Sequence, residues 1–263
     1  MANILKPMFG IKKPIIAMLY LPPSLGHKNH YGLNRSLQEI NEDLEIIMDA
    51  GFDSCLCENE KDSPYLIKAT SESISSLSIY TKEVLDNSTI PIGFNFLLND
   101  PCISLTIAKS SGAEYIRTDY FSDEMKREND DLIMSINPRE VINHRHKLKA
   151  DDIKIYADVQ VKHAKLIKKR PFLESAIQTL QDGADGLIIS GEWTGKAPGL
   201  DQLKSLKSQD ITKPIIIGSG FNSENCHELL EFSDGAIVGT AILTNGRVDR
   251  EKAFRLVDSL PTT

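Results

Sequence analysis

The segment Ala157-Asp158-Val159-Gln160-Val161-Lys162-His163 sets three polar side chains two positions apart in an apolar run. On a strand this spacing puts Asp158, Gln160 and Lys162 on one face and Val159 and Val161 on the other. Strands of parallel sheets are usually apolar on both faces, so a polar face implies that the strand lines an opening. A buried Asp158 needs a partner, and four strand residues cover roughly 13 Å, so Lys162 can serve only if the chain turns inward at the strand end. Asp158 and Lys162 together could move a proton, and Lys162 alone could hold an anionic substrate or stabilise an oxyanion. A Schiff base at Lys162 ranks lower, because a neighbouring carboxylate raises the lysine pKa that this chemistry needs lowered. A purely structural ion pair is the bland alternative. His163 is placed as a substrate-binding residue at the edge of the site.

Other polar residues follow short apolar runs. Glu58, Asn59 and Asp62 could orient hydroxyls, hold Mg2+ or supply a general base, with Glu58 as the catalytic candidate and Asn59 as a substrate contact. Asn95 lies two residues after Gly93 and shares its face, taken as the inward one. Arg117 could grip a carboxylate or phosphate with its forked guanidinium. Ser190 and Thr194, in a small-residue loop with Gly191 and Gly195, suit close approach to a ligand. Gly218-Ser219-Gly220, with Gly239 and Thr240, would let backbone N–H groups cradle a phosphate, helped by a helix expected to start near Asn222 or Ser223. The bland alternatives are a structural salt bridge for Arg117, solvated loop polarity for Glu58, Asn59 and Asp62, a loop-facing amide for Asn95, an ordinary loop for Ser190 and Thr194, and a tight turn for the glycine segments.

Such residues need a scaffold that gathers strand ends. Eight apolar runs recur: Pro14 to Leu19, Asp53 to Cys57, Pro91 to Phe96, Glu114 to Thr118, Ile153 to Val161, Asp185 to Ser190, Pro214 to Gly218 and Gly235 to Gly239. Amphipathic segments lie between them, including Leu37 to Ala50, Tyr65 to Leu85, Ile103 to Ser110, Pro138 to Leu148, Phe172 to Asp182 and Ser223 to Phe232. A helix near Arg250 to Leu260 closes the chain. This alternation predicts α/β architecture, and 263 residues suit a single (β/α)8 TIM barrel spanning 1–263. The joints Gly51-Phe52-Asp53, Gly112-Ala113-Glu114 and Gly183-Ala184-Asp185 each end a helix and begin a strand. No glycine-rich loop follows the first strand, as a doubly wound sheet would require; the glycines instead follow strands seven and eight, where barrels bind phosphate. Asp100-Pro101 reads as a helix N-cap and first position. The long first loop, Pro22 to Asn34, with His27 and His30, could fold over the mouth as a lid.

The net charge of -7 argues against nucleic acid as a partner. The basic run Lys162 to Arg170 reads mostly as a solvated loop or helix start. No signal peptide or membrane span is apparent, so a cytoplasmic protein is expected. The four cysteines are too scattered for a disulfide framework, and the pair Cys55 and Cys57 reads as buried strand residues rather than a zinc site. His144 and His146, two apart on a helix, diverge and receive no role.

The chain resembles the BtpA family. The resemblance rests on Glu58-Asn59 with Asp62 and Pro64-Tyr65, Pro91-Ile92-Gly93-Phe94-Asn95 with Asn99-Asp100, Gly112 to Arg117, and most specifically Ala157-Asp158-Val159 followed by Val161-Lys162-His163-Ala164. Ser190-Gly191, Thr194-Gly195, Gly218-Ser219-Gly220 and Val238-Gly239-Thr240 extend it. The resemblance implies a ribulose-phosphate-binding type of barrel and an association with sugar or nucleoside utilisation. Two positions depart from the family pattern: Tyr20 where a histidine tends to stand, and Leu243 where a lysine does. The function expected is therefore binding of a small phosphorylated ligand at the C-terminal face, with acid/base catalysis of a lyase, isomerase or hydrolase type. The alternative is a non-catalytic assembly or regulatory factor that retains the barrel. Mg2+ is the one cofactor considered, and a homo-oligomer is an expectation from fold-level analogy alone.

Overall fold

The structure is a computed structural model that describes residues 13–261. Eight parallel strands close into a barrel: β1 (Ile15–Tyr20), β2 (Ser54–Glu58), β3 (Ile92–Asn95), β4 (Tyr115–Thr118), β5 (Lys154–Asp158), β6 (Gly186–Ile189), β7 (Ile215–Ile217) and β8 (Gly235–Val238). Each pairs with its chain neighbour, and β8 closes the ring on β1 with Ile16 opposite Ile237. Eight helices follow them in turn: α1 (Leu33–Ala50), α2 (Ser71–Asn87), α3 (Pro101–Ser111), α4 (Pro138–Lys147), α5 (Phe172–Gln181), α6 (Leu200–Lys207), α7 (Cys226–Glu231) and α8 (Arg250–Asp258). The expected (β/α)8 barrel is what the chain forms.

Strand alternation divides the core in two. Outward side chains such as Ala17, Leu19, Cys55, Cys57 and Ile155 pack with helix residues including Ile40, Leu44, Leu105 and Leu203. Inward ones, Ile16, Met18, Leu56, Tyr115, Tyr156, Ile188, Ile216 and Ile237, form a separate cluster that fills the barrel. Gly93 makes room for it, since a Cβ there would lie 2.1 Å from the Tyr115 ring. The Tyr115 hydroxyl meets Ser54 Oγ at 2.8 Å, which satisfies a buried polar atom in the apolar plug.

The helix-to-strand joints have a second use. Gly51, Gly112 and Gly183 end their helices at φ of 88°, 103° and 105°. The acid that follows two of them then serves the neighbouring strand: Asp53 accepts from the Ile15 amide at 2.8 Å and Asp185 from the Ile155 amide at 3.0 Å. Asp234 does the same for Ile215. These carboxylates satisfy strand-start N–H groups at the face opposite the mouth.

Several boundaries differ from expectation. α2 starts at Ser71 rather than Tyr65, because Thr70 and Ser73 form a reciprocal capping box. β5 ends at Asp158, and the chain turns sharply through Gln160 at φ 48° and His163 at φ 60°. α7 begins only at Cys226, after Asn222 has accepted from the amides of Glu224 and Asn225. Its first turn does open at Asn222, whose carbonyl accepts from the Cys226 amide at 3.0 Å, but the helix is only six residues long, so it adds little to an anion site at the glycine loop. Asp100 does cap α3, accepting from the Ile103 amide at 3.3 Å.

One side of the mouth is covered by a feature absent from the sequence reading. Met125–Arg127 pairs antiparallel with both Ile133–Met134 and Ala164–Leu166, giving a small sheet built from the loops after β4 and β5. Leu98, Tyr120, Met125, Met134 and Val161 form its own apolar core. The basic run is thus an edge strand and loop, with Lys165 paired to Glu128 and Arg170 to Asp123. The first loop, by contrast, does not close over the mouth. It is held to the side, the Ser24 amide donating to Asp62 at 2.7 Å and the Leu25 amide to Ser76 at 3.0 Å. No helix among the described residues is long and apolar enough to cross a membrane. The four cysteines are free thiols, three of them buried.

Candidate functional site

One layer above the apolar plug, the same alternation brings Tyr20, Glu58, Asn95, Arg117, Asp158, Ser190, Gly218 and Gly239 inward from the eight strands. The register puts Glu58 directly beside Tyr20 on one side and Asn95 on the other. A cavity of about 440 Å³ opens above this layer. Glu58, Arg117, Lys162, His163 and Thr194 line it, as do Gly218, Ser219, Gly220, Gly239 and Thr240.

Arg117 and Asp158 form the fixed pair at its base. Arg117 Nε donates to Asp158 Oδ2 at 2.8 Å and Nη2 to Oδ1 at 3.1 Å, a forked contact with both side chains buried. Ser190 Oγ adds a third bond to Asp158 at 3.0 Å. Asp158 thus finds its partner in Arg117 rather than Lys162. Gln160 does not share its face: the turn after Asp158 sends the Gln160 amide outward to the Arg170 carbonyl and Ser175 Oγ. Burial would lower the arginine pKa, but the carboxylates of Asp158 and Asp119 outweigh it and hold the guanidinium charged.

Above the pair lies a group of acids that the sequence reading only half identified. Glu58 accepts from Asn95 Nδ2 at 2.7 Å, and burial raises its pKa against the pull of Arg117. Glu60 is raised chiefly by burial as well. Burial pushes Asp119 up to about 7 despite Arg117, whose Nε lies 3.6 Å away. Lys162 stands close enough to pull all three acids back down. Glu60 and Asp119 were missed, although each sits two residues beyond a residue that was chosen, Glu58 and Arg117. Tyr20, Tyr65 and Tyr120 also line the cavity, with Arg127 and Asn129 reaching in from the cover sheet.

Not every chosen residue reaches the cavity. Asn59 is buried, its Nδ2 donating to the Leu97 carbonyl at 2.9 Å while its Oδ1 accepts from the Leu97 amide at 2.6 Å. It stitches the exit of β2 to that of β3. Asp62 lies with Ser24 and Asn59 beside the first loop, so Glu58, Asn59 and Asp62 do not converge. Asn95, Asp158 and Ser190 support the lining from behind. His163 meets Thr194 Oγ1 at 3.0 Å and packs against Trp193 at the rim.

The glycine-rich exits of β7 and β8 face the acids across the cavity. Ser219 Oγ donates to the Lys196 carbonyl at 2.9 Å and accepts from the Gly191 amide at 2.9 Å, so its side chain anchors the loop after β6. Gly220, at φ 70°, brings its backbone so close to that loop that a Cβ would fall 2.1 Å from the Ala197 nitrogen. Among the described residues, the N–H groups of Ser219, Gly220 and Phe221 have no hydrogen-bond partner, and those of Thr240 and Ala241 open a short helical turn at Thr240–Ile242. Unpartnered N–H groups beside a cavity are an anion-binding surface. No group of three or more His, Cys, Asp or Glu among the described residues is arranged to hold a metal ion.

Comparison with known proteins matches the same architecture. An uncharacterized protein of Thermococcus kodakarensis is 33% identical over 253 residues, covering 94% of this chain and 95% of that protein. The photosystem I biogenesis protein BtpA of Synechocystis is 28% identical over 245 residues, covering 92% and 84%. Among solved structures, (S)-3-O-geranylgeranylglyceryl phosphate synthase from Thermoplasma acidophilum, in complex with sn-glycerol-1-phosphate, superposes with a TM-score of 0.61 at 16% identity over 99% of this chain and 98% of that one. The family model described as "BtpA family" matches residues 11–261, and with it the chain belongs to the BtpA family.

Proposed function

We propose that this protein is an enzyme that binds a small phosphorylated molecule, of sugar or nucleoside type, in the mouth of the barrel and acts on it by acid/base chemistry. The observation that carries this reading is one cavity with unpartnered backbone N–H groups on one side and Glu58, Glu60, Asp119 and Lys162 on the other. The N–H groups at the exits of β7 and β8 hold the phosphate. Its fixed position sets the rest of the ligand against the acids, which lowers the entropic barrier to reaction.

Asp119 is the best-placed proton carrier, since a carboxyl poised near 7 can both give and take a proton at neutral pH. Lys162, which lines the cavity and enters no ion pair among the described residues, stabilises negative charge that develops when a proton leaves. Arg117 and Asp158 act as a rigid base that positions Asp119. A structural neighbour that holds sn-glycerol-1-phosphate supports a phosphorylated ligand by analogy of fold.

The test is a panel of sugar phosphates assayed for binding and turnover with the wild type, Asp119→Asn and Lys162→Met. Turnover lost by 10²-fold or more in both variants, with ligand still bound, is the expected outcome. Binding without turnover in any protein would instead favour a regulatory or assembly role, which the name of the Synechocystis relative suggests.

A further inference from the structure

The two sides of the cavity differ in hydrogen-bonding sense. The β7 and β8 exits offer donors, while the opposite side is rich in acceptors whose capacity is unspent. Glu58 is only 6% exposed, and while Oε1 takes the Asn95 bond, Oε2 has no partner among the described residues. Glu60 takes a hydrogen bond from Tyr65 and Asp119 has only the long 3.6 Å contact to Arg117, so both carboxylates keep acceptor capacity toward the cavity. Tyr120 is 5% exposed, lines the cavity, and its hydroxyl has no partner among the described residues. These oxygens face the cavity and are open to a ligand, and a ligand that displaces their water without bringing donors leaves them unpaired at a cost, so the ligand that fits brings donors to them.

Charge narrows the class further. Arg117 is committed to Asp158, and Arg127 to Asp130 at 3.1 Å, which among the described residues lining the cavity leaves Lys162 as the unpaired lysine or arginine facing three acids. A carboxylate on the ligand at this side would meet like charge at short range, a cost that discriminates strongly in a desolvated site. Resting on the phosphate-site reading above, we propose that the substrate is a phosphorylated polyol or sugar whose non-phosphate end carries several hydroxyls and no carboxylate. The hydroxyls donate to Glu58 Oε2, Glu60 and Asp119, and the Tyr120 hydroxyl pairs with the same chain of oxygens.

Ribitol 5-phosphate and 5-phosphoribonate form a matched pair of probes, alike except for a hydroxymethyl against a carboxylate at the end far from the phosphate. Isothermal titration at pH 8 of the full-length protein with each, and with inorganic phosphate, tests the proposal. The expected result is at least tenfold tighter binding of the polyol ester, with the ratio falling toward one in Glu60→Gln. Equal affinities, or a preference for the carboxylate, would overturn the proposal while inorganic phosphate binding leaves the anion site standing. If neither ester nor inorganic phosphate binds, both the proposal and the reading beneath it fail.

Discussion

Burial drives the Asp119 carboxyl up to about 7, whereas in an unfolded chain an aspartate titrates near 3.9. The folded state therefore keeps a proton that the unfolded state has lost, and the group favours folding fully below about 4. That contribution disappears as pH rises through about 7. Asp119→Asn carries no such penalty, so its melting temperature is expected to exceed that of the wild type at pH 8 and to vary less between pH 4 and 8. Parallel melting curves across this range would show that Asp119 is not buried as described. The reverse logic applies at Arg117. Arg117→Met leaves the buried Asp158 without its cation and with only the Ser190 hydroxyl as partner, with an expected loss of about 3–5 kcal/mol in denaturant unfolding, and Asp158→Asn in the same chain should recover much of it. The inward parity of Asp158 and Asn95 was legible from period-two spacing, and Glu58 and Arg117 from their place at strand exits. The Arg117–Asp158 pairing was not, because it joins two adjacent strands whose register no local pattern states.

At the scale of elements, the sequence was most readable where the chain obeys one periodicity and least where it changes direction. The eight strands and the Gly-x-acid joints follow from alternation and from the left-handed backbone that glycine tolerates. β5 was carried three residues past its end at Asp158, because Val159 and Val161 continue the apolar pattern while Gln160 turns the chain at φ 48°. The cover sheet escaped notice for a related reason: its strands, such as Ile133–Met134, are too short to carry any pattern. Asn59 shows how loop polarity misleads. An amide after a strand suggests a ligand contact, yet this one serves the Leu97 backbone. Asn59→Ala is accordingly expected to cost about 1–3 kcal/mol of stability, since it strands the buried Leu97 amide. At a temperature where the variant remains folded, its ligand affinity should be unchanged, and a weakened affinity with unaltered stability would return Asn59 to the binding surface.

For the whole molecule, the barrel turns sequence order into spatial opposition. Strand ends from the first half of the chain supply the acids, those from the last quarter supply the free N–H groups, and ring closure sets them across one cavity. An apolar floor built on Tyr115 and Tyr156 seals it below, and the small sheet forms part of its wall with Arg127 and Asn129. The central claim is that the exits of β7 and β8 bind phosphate. The most direct measurement is thermal unfolding of the wild type and Thr240→Glu against increasing inorganic phosphate. Thr240 is exposed, so the substitution is accommodated, and its carboxylate would occupy the N–H groups that the anion needs. The expected result is a wild-type melting temperature that rises by about 5 °C as phosphate far exceeds its Kd, and a folded Thr240→Glu protein that does not respond. No rise in the wild type, or an equal rise in both, would contradict the assignment of the phosphate to this end of the barrel.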